Sequence, residues 1–431
     1  MPGVETLLQL ALDFVDLHRA LGVAREAVRG GVDWIEIGTP LLKAEGLEAV
    51  RRMRAEFPKH TIVCDTKTMD AGRTEMEAAA KAGSHVATVL GAAPDATVRE
   101  CIEAGRNYGI RVAVDLVNVG DPVARARQAA DWGAAVVGVH CPIDEQMEGK
   151  DPFALLRAVA EAVAVPVAVA GGIHSESAAR AVAAGASIVV VGGAITKAED
   201  AEAAARQLRR VIRSGTSEAT VLFKRGGAGA LREILAQPSV PNISDGYHHM
   251  PVLRGLAPVV PGVHMVGRAL TVRTSPGDWA KPVEAIDRAE RGDVIVIDAG
   301  GAPPALWGEL ATHSALQRGL AGVVVHGAIR DTPVIRQLGF AAFARIVTAR
   351  AGEPKGFGEI GAPIEIDGIR IESGDWIVGD DDGIAVLPAG KAVEIANRAM
   401  ERLEMENRVR REIAQGSTLA QVVDLYKWEK R

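Results

Sequence analysis

Residues 61–72 read Thr61-Ile62-Val63-Cys64-Asp65-Thr66-Lys67-Thr68-Met69-Asp70-Ala71-Gly72. The stretch opens as a strand-like apolar run, Ile62 to Cys64. It then places two carboxylates and an ammonium within six residues. A strand that is apolar throughout belongs in a sheet covered on both faces. In parallel α/β barrels, small-molecule chemistry sits where such strands end. A surface salt-bridge network on a loop would use the same residue types, so the rest of the chain has to decide.

Working outward, similar runs recur about every 25 residues: 7–14, 34–38, 61–65, 85–90, 111–116, 135–140, 165–170 and 188–191. Between them, segments such as 17–29, 49–56, 98–107 and 122–132 have helical periodicity and charged outer faces. Eight β–α units in about 200 residues predict a closed (β/α)8 TIM barrel. A doubly wound open sheet competes, but no Gly-x-Gly-x-x-Gly first turn is present.

Polar residues then fall at the strand ends. Asp13 lies at the end of strand 1, Glu36 at the end of strand 2, Asp65 and Lys67 at the end of strand 3, and His140 ends strand 6. Gly171-Gly172 follow strand 7 and Gly192-Gly193 follow strand 8. Paired glycines let backbone N–H groups approach a phosphate, although such a pair also makes a plain turn. Glu36 and Asp65 offer hard oxygens suited to Mg²⁺ or Mn²⁺. Lys67 would hold developing negative charge, and His140 would move a proton.

Composition excludes several classes. Hydrophobic content is 48% and charged content 24%, as in ordinary globular chains. A net charge of −6 argues against direct nucleic-acid binding. No apolar run is long enough for a membrane span, and no signal peptide is evident. The three cysteines, Cys64, Cys101 and Cys141, are far apart and form no metal spacing. A cytoplasmic protein with reduced thiols is expected.

On its motifs, residues 1–213 resemble the orotidine monophosphate decarboxylase suprafamily, and within it the 3-hexulose-6-phosphate synthases. The motifs are Ala11-Leu12-Asp13, Glu36-Ile37-Gly38-Thr39, Asp65-Thr66-Lys67 with Asp70, Val191 to Thr196, and His140 to Pro152. Orotidine decarboxylases carry a lysine in place of Glu36. The sister 3-keto-gulonate-6-phosphate decarboxylases carry an arginine in place of Ile143, and tend to carry another in place of Gly193. The resemblance implies an Mg²⁺-dependent, reversible aldol condensation of formaldehyde with ribulose 5-phosphate, with the sugar phosphate on the two glycine loops. It also implies that Asp70 reaches into a neighbouring subunit's site, hence a barrel dimer.

Residues 214–240 change character and read as a linker with an entry helix at 231–236. A second domain, 241–431, follows, with strands at 294–298, 322–326, 364–371 and 376–378 and a long charged helix at 391–413. Its segments Gly308-Glu309-Leu310, Gly327 to Asp331 and Gly379 to Gly383 resemble the RraA-like family, implying an α/β/α swivelling-type domain. That family includes both keto-acid aldolases and a regulator of RNA degradation. By the resemblance, Gly308, Glu309 and Leu310 would offer backbone donors to an α-keto acid. Arg330 would orient that acid, and Asp331 would hold a metal ion. The family's acid three positions after the Asp is Val334 here, which leaves the metal or proton machinery either weakened or moved to an acid of the last helix such as Glu401 or Glu404. A protein-binding or purely trimerising role stays open. A two-fold barrel interface combined with a three-fold one would give a homo-oligomer, a hexamer if the axes cross at a right angle.

Overall fold

The structure, a computed structural model, describes residues 5–423. Contacts divide these into two compact units: residues 5–146, 150–225 and 404–423 in one, and 147–149 and 226–403 in the other.

In the first unit, eight parallel strands close into a barrel in sequence order. They are β1 (Leu7–Leu12), β2 (Trp34–Ile37), β3 (Thr61–Thr68), β4 (Val86–Leu90), β5 (Arg111–Asp115), β6 (Val136–His140), β7 (Val167–Ala170) and β8 (Ile188–Val191). Strand side chains alternate between two faces. One set, including Leu8, Leu10, Leu12, Ile35, Ile37, Ile62 and Cys64, packs under the helices. The other set fills the lumen: Ala11, Trp34, Val63, Val86, Val136, Ile188 and Val190. The lumen is therefore apolar towards the strand starts. Its polar residues, Glu36, Asp65, Thr88, Asp115 and His140, come later along the same inward rows.

Local signals fix the helices. Asp16 accepts the Arg19 N–H at 2.7 Å and caps helix Leu17–Gly30, which Gly31 ends in the left-handed region at φ 96°. Asp121 and Asp200 cap Pro122–Trp132 and Ala201–Ser214 in the same way. The stretch read as a linker begins as part of the barrel unit. Ser175 Oγ donates to Glu218 O at 2.8 Å, the Thr220 N–H donates to Glu176 at 2.8 Å, and Glu218 pairs with Arg210 at 3.1 Å.

The second unit opens with the short helices Leu231–Leu235 and Val240–Gly246. A mixed sheet follows, in the order 383–387, 376–380, 265–273, 294–298, 322–329, 342–347, 257–258. Strands 265–273, 294–298, 322–329 and 342–347 are parallel, so their carboxyl ends lie along one edge. A hairpin, 364–366 with 369–371, turns at Asp367-Gly368. The helix Ala392–Ala414 begins in this unit. Its residues from 404 onward group with the barrel instead, a correction to the reading that assigned everything beyond 241 to the second domain. Among the described residues no helix is long and apolar enough to cross a membrane.

Candidate active site

The rim of the barrel is organised by β3. Its pairing with β4 slips between Cys64 and Thr68, and Lys67 takes φ 45°, a left-handed conformation rare for a residue with a side chain. A bulge of this kind re-aims a side chain. Lys67 Nζ consequently donates to Asp65 Oδ2 at 2.7 Å and lies 3.5 Å from Asp115 Oδ2. Thr88 Oγ1 donates to Asp65 Oδ1 at 2.8 Å and accepts the Lys67 N–H at 2.9 Å. Thr39 Oγ1 donates to Asp65 Oδ2 at 2.8 Å.

His140 joins through Asp115. Its Nδ1 lies 3.2 Å from Asp115 Oδ2, while Asp115 Oδ1 accepts the Val117 N–H at 2.9 Å. With Nδ1 as the donor, Nε2 is the basic nitrogen. Glu36 accepts from the amide of Gln9. Asp13 lies against Gly38 and Gly192: a Cβ on Gly38 would stand 2.2 Å from Asp13 Oδ1 and displace that carboxylate.

Four carboxylates thus share one barrel mouth with Lys67 and His140. Loss of surrounding water, then the charges of Asp65 and Asp13, holds Glu36 well above the usual carboxylate range. Asp13 opens to solvent, yet crowding by the rim and the charge of Asp65 raise it too. Burial pushes Asp115 up, but the hydrogen bond and charge of His140, with Lys67, outweigh it and hold the group low. Burial alone would lower Lys67. Asp65 and Asp115 reverse that and keep it an ammonium. Glu36 and Asp65 supply hard oxygens of the kind a divalent cation takes, and a bound cation would favour the ionised form of Glu36. Among the described residues no three His, Cys, Asp or Glu side chains form a closed metal cage. Mg²⁺ does not require one, since it commonly takes one or two carboxylates plus substrate oxygens.

The structure places Asp13, Glu36, Asp65, Lys67 and His140 in one constellation. The glycine pairs Gly171-Gly172 and Gly192-Gly193 follow β7 and β8 at the same end. Gly171 (φ 102°) could not carry a Cβ without meeting Cys141 O at 2.3 Å. Asp70 is not brought into the cluster: it is exposed, and its carboxylate accepts the Ala71 N–H at 2.7 Å. Asp115, Thr88 and Gln9 were missed in the sequence reading. Asp115 had a signal, since it ends the apolar run Val112-Ala113-Val114 just as Asp65 ends its own. Three free thiols lie nearby or under the helices. Burial, with neighbouring acids, pushes Cys64 and Cys101 up to about 12 and Cys141 to about 11.

In the second unit, Gly308 caps helix Glu309–Arg318. The Glu309 N–H donates to Asp331 Oδ2 at 3.2 Å, and Arg330 Nε lies 3.3 Å from the same oxygen. A Cβ on Gly308 would stand 2.6 Å from Asp331 Oδ2. Asp331 itself has φ 57°, and Leu310 is largely exposed. Gly308, Glu309, Leu310, Arg330 and Asp331 are therefore neighbours. Asp331, the residue read as a metal ligand, has its Oδ2 engaged by the Glu309 N–H and Arg330. Glu404 cannot take the missing acid's part: it is fully buried and paired with Arg225 at 2.7 Å in the barrel unit.

The first unit is, by fold and rim, a (β/α)8 barrel with acidic side chains, Lys67 and His140 at its carboxyl end. The chain belongs to the orotidine 5'-phosphate decarboxylase / HUMPS family, whose model matches residues 6–208. Among its relatives, the 3-hexulose-6-phosphate synthase of Methylomonas aminofaciens is 42% identical over 203 residues, 47% of this chain and 97% of the relative. The enzyme of the same name from Mycobacterium gastri is 39% identical, covering 48% and 99%. A crystal structure of a 3-hexulose-6-phosphate synthase is 39% identical over 47% of this chain and 98% of that one, with a TM-score of 0.46. Residues 240–386 match the RraA-like family model, described as Aldolase/RraA, so the second unit is an RraA-like domain.

Proposed function

We propose that the barrel is a 3-hexulose-6-phosphate synthase that joins formaldehyde to C1 of ribulose 5-phosphate, using Mg²⁺ or Mn²⁺ held by Glu36 and Asp65. The observation that carries the reading is Lys67, kept as an ammonium between Asp65 and Asp115 beside a histidine oriented by that same Asp115. The relatives' names support it.

The phosphate is seated on the glycine loops after β7 and β8. His140 Nε2 removes a proton from C1, and the electron pair spreads to the C2 oxygen as an enediolate. When bound, the ion supplies positive charge that polarises the ketose carbonyl. Lys67 steadies the developing charge without giving up its own proton. C1 then attacks the formaldehyde carbon, a C–C bond forms, and the carbonyl π pair moves to oxygen. His140 returns its proton to that alkoxide, so the six-carbon product holds every atom of both substrates. The reverse reaction uses the same groups.

Formaldehyde consumption with ribulose 5-phosphate, with Mg²⁺ and with EDTA, tests the reading. Mg²⁺-dependent loss is expected. No loss by folded, metal-supplied protein would turn the assignment to the sister decarboxylases and 3-keto-gulonate 6-phosphate.

For the RraA-like domain, the neighbouring Gly308–Leu310 amides and Arg330 fork favour binding the carboxylate of an α-keto acid. Turnover of a pyruvyl aldol by the full chain tests this, and capture of an RNA-degrading partner instead would favour the regulator reading. Light scattering tests the homo-oligomer, with a hexameric mass expected and a monomeric one refuting it.

A further inference from the structure

We infer that residues 404–412 of the last helix are a brace that positions the catalytic rim of the barrel, with Arg408 at its centre. Arg408 is 4% exposed. It forks onto Glu26 with two bonds of 2.9 Å, its Nε donates to Glu412 at 3.0 Å, and its Nη1 faces Ala198 O and Glu199 O at 3.4 Å. Glu412 also receives Arg19, at 3.0 and 3.3 Å, and the Arg19 guanidinium sits 5.5 Å from the Phe14 ring. One turn back along the helix, Glu404 takes both arms of Arg225, at 2.9 and 2.7 Å, and the Phe223 N–H at 2.6 Å.

The anchoring points decide what this network does. Ala198 follows Lys197, whose side chain lies 3.6–3.8 Å from where a Gly193 Cβ would stand. Phe14 follows Asp13. One network, buried at Arg408, therefore grips the loop after β8 and the start of the helix after β1, each next to a rim residue. Burying charge is costly, and an apolar contact of the same size would often be as stable or more so. What a forked guanidinium adds is fixed geometry. The family model ends at 208, so the brace comes from sequence outside it. Arg408 is a positioning residue: it touches the loop beside the phosphate glycines, not the substrate.

The kinetic part of this inference rests on the synthase reading; the structural part does not. The test uses the full chain with Arg408→Gln, Arg408→Lys and, at the network's more exposed end, Arg19→Gln. Hydrogen exchange of the amides at 193–199 is expected to quicken roughly tenfold in Arg408→Gln and to recover in part in Arg408→Lys. KM for ribulose 5-phosphate is expected to rise about fivefold with kcat little changed. Unchanged exchange at 193–199, with only the melting temperature lowered, would overturn the brace. If Arg408→Gln does not fold, Arg19→Gln is read by the same two measurements. If wild-type protein has no synthase activity, the exchange result still decides the brace, and the failure belongs to the functional reading.

Discussion

Lys67 Nζ meets Asp65 Oδ2 at 2.7 Å across two residues of one strand, with Lys67 at a left-handed φ of 45°. Asp65→Ala is therefore expected to remove synthase turnover, by roughly 10²–10³-fold or more, while circular dichroism stays that of the wild type. Retained activity would remove Asp65 from the metal and lysine site.

Thr88 holds both members of that pair, donating to Asp65 and accepting from the Lys67 amide. Thr88→Val keeps the shape and removes both bonds. Stability should fall by about 1–3 kcal/mol, the cost of leaving buried polar groups unpaired, with kcat/KM also reduced. Urea unfolding together with steady-state kinetics checks both. An unchanged urea midpoint would mean that the two bonds contribute nothing.

His140 and Asp115 act as a pair. His140→Gln should lower kcat by about 10²–10⁴-fold, the usual worth of a general base. Asp115→Asn should cost less, since it leaves the imidazole in place but frees its tautomer. Equal losses would mean that Asp115 matters for more than orienting the ring.

Glu36 and Asp13 are held above their ordinary range in the folded chain. As pH rises past the usual carboxylate range, the unfolded chain releases these protons first, while the folded one still keeps them. Metal-free protein should therefore lose stability with rising pH until the raised values are passed, at no more than about 1.4 kcal/mol per pH unit for each group. Glu36→Gln should flatten that slope. Mg²⁺ should raise the melting temperature more at the upper end of the range, where it binds ionised carboxylates. Melting curves in EDTA and in Mg²⁺ from pH 5 to 8 decide this, and a flat EDTA profile would count against it.

Arg330 is half-exposed and its ion pair with Asp331 is open to solvent. Arg330→Ala should leave folding stability within about 1 kcal/mol and synthase turnover unchanged, while abolishing any keto-acid turnover. Loss of synthase activity in this variant would contradict separate sites.

All eight barrel strands were legible because each carries a mostly apolar run that recurs about every 25 residues, a pattern that length and spacing alone can register. Strand 265–273 was not, since Gly267, Arg268 and Thr271 interrupt its apolar run. Strand 342–347 was missed as well, its apolar run broken by Arg345. Helix Val240–Gly246 hid in a stretch with prolines at 238 and 241, whose capping box at Ser239 and Asn242 makes it helical. The rim residues could be found because they stand at strand ends, whereas Thr88 sits mid-strand and becomes a partner only through the β3 bulge. Glu404 looked available for chemistry in the helical pattern. Only the fold shows that Arg225, far away in sequence, consumes it.

The masked nucleophiles bear on the proposed reaction, in which formaldehyde would be a substrate. That aldehyde condenses readily with free amines and thiolates, and so endangers the enzyme that uses it. Cys64 stands next to Asp65, yet its thiol keeps its proton to about 12. Lys67, tied to two carboxylates, has no lone pair to offer. Burial at Cys64 and the two carboxylates around Lys67 thus leave both side chains chemically silent towards the electrophile.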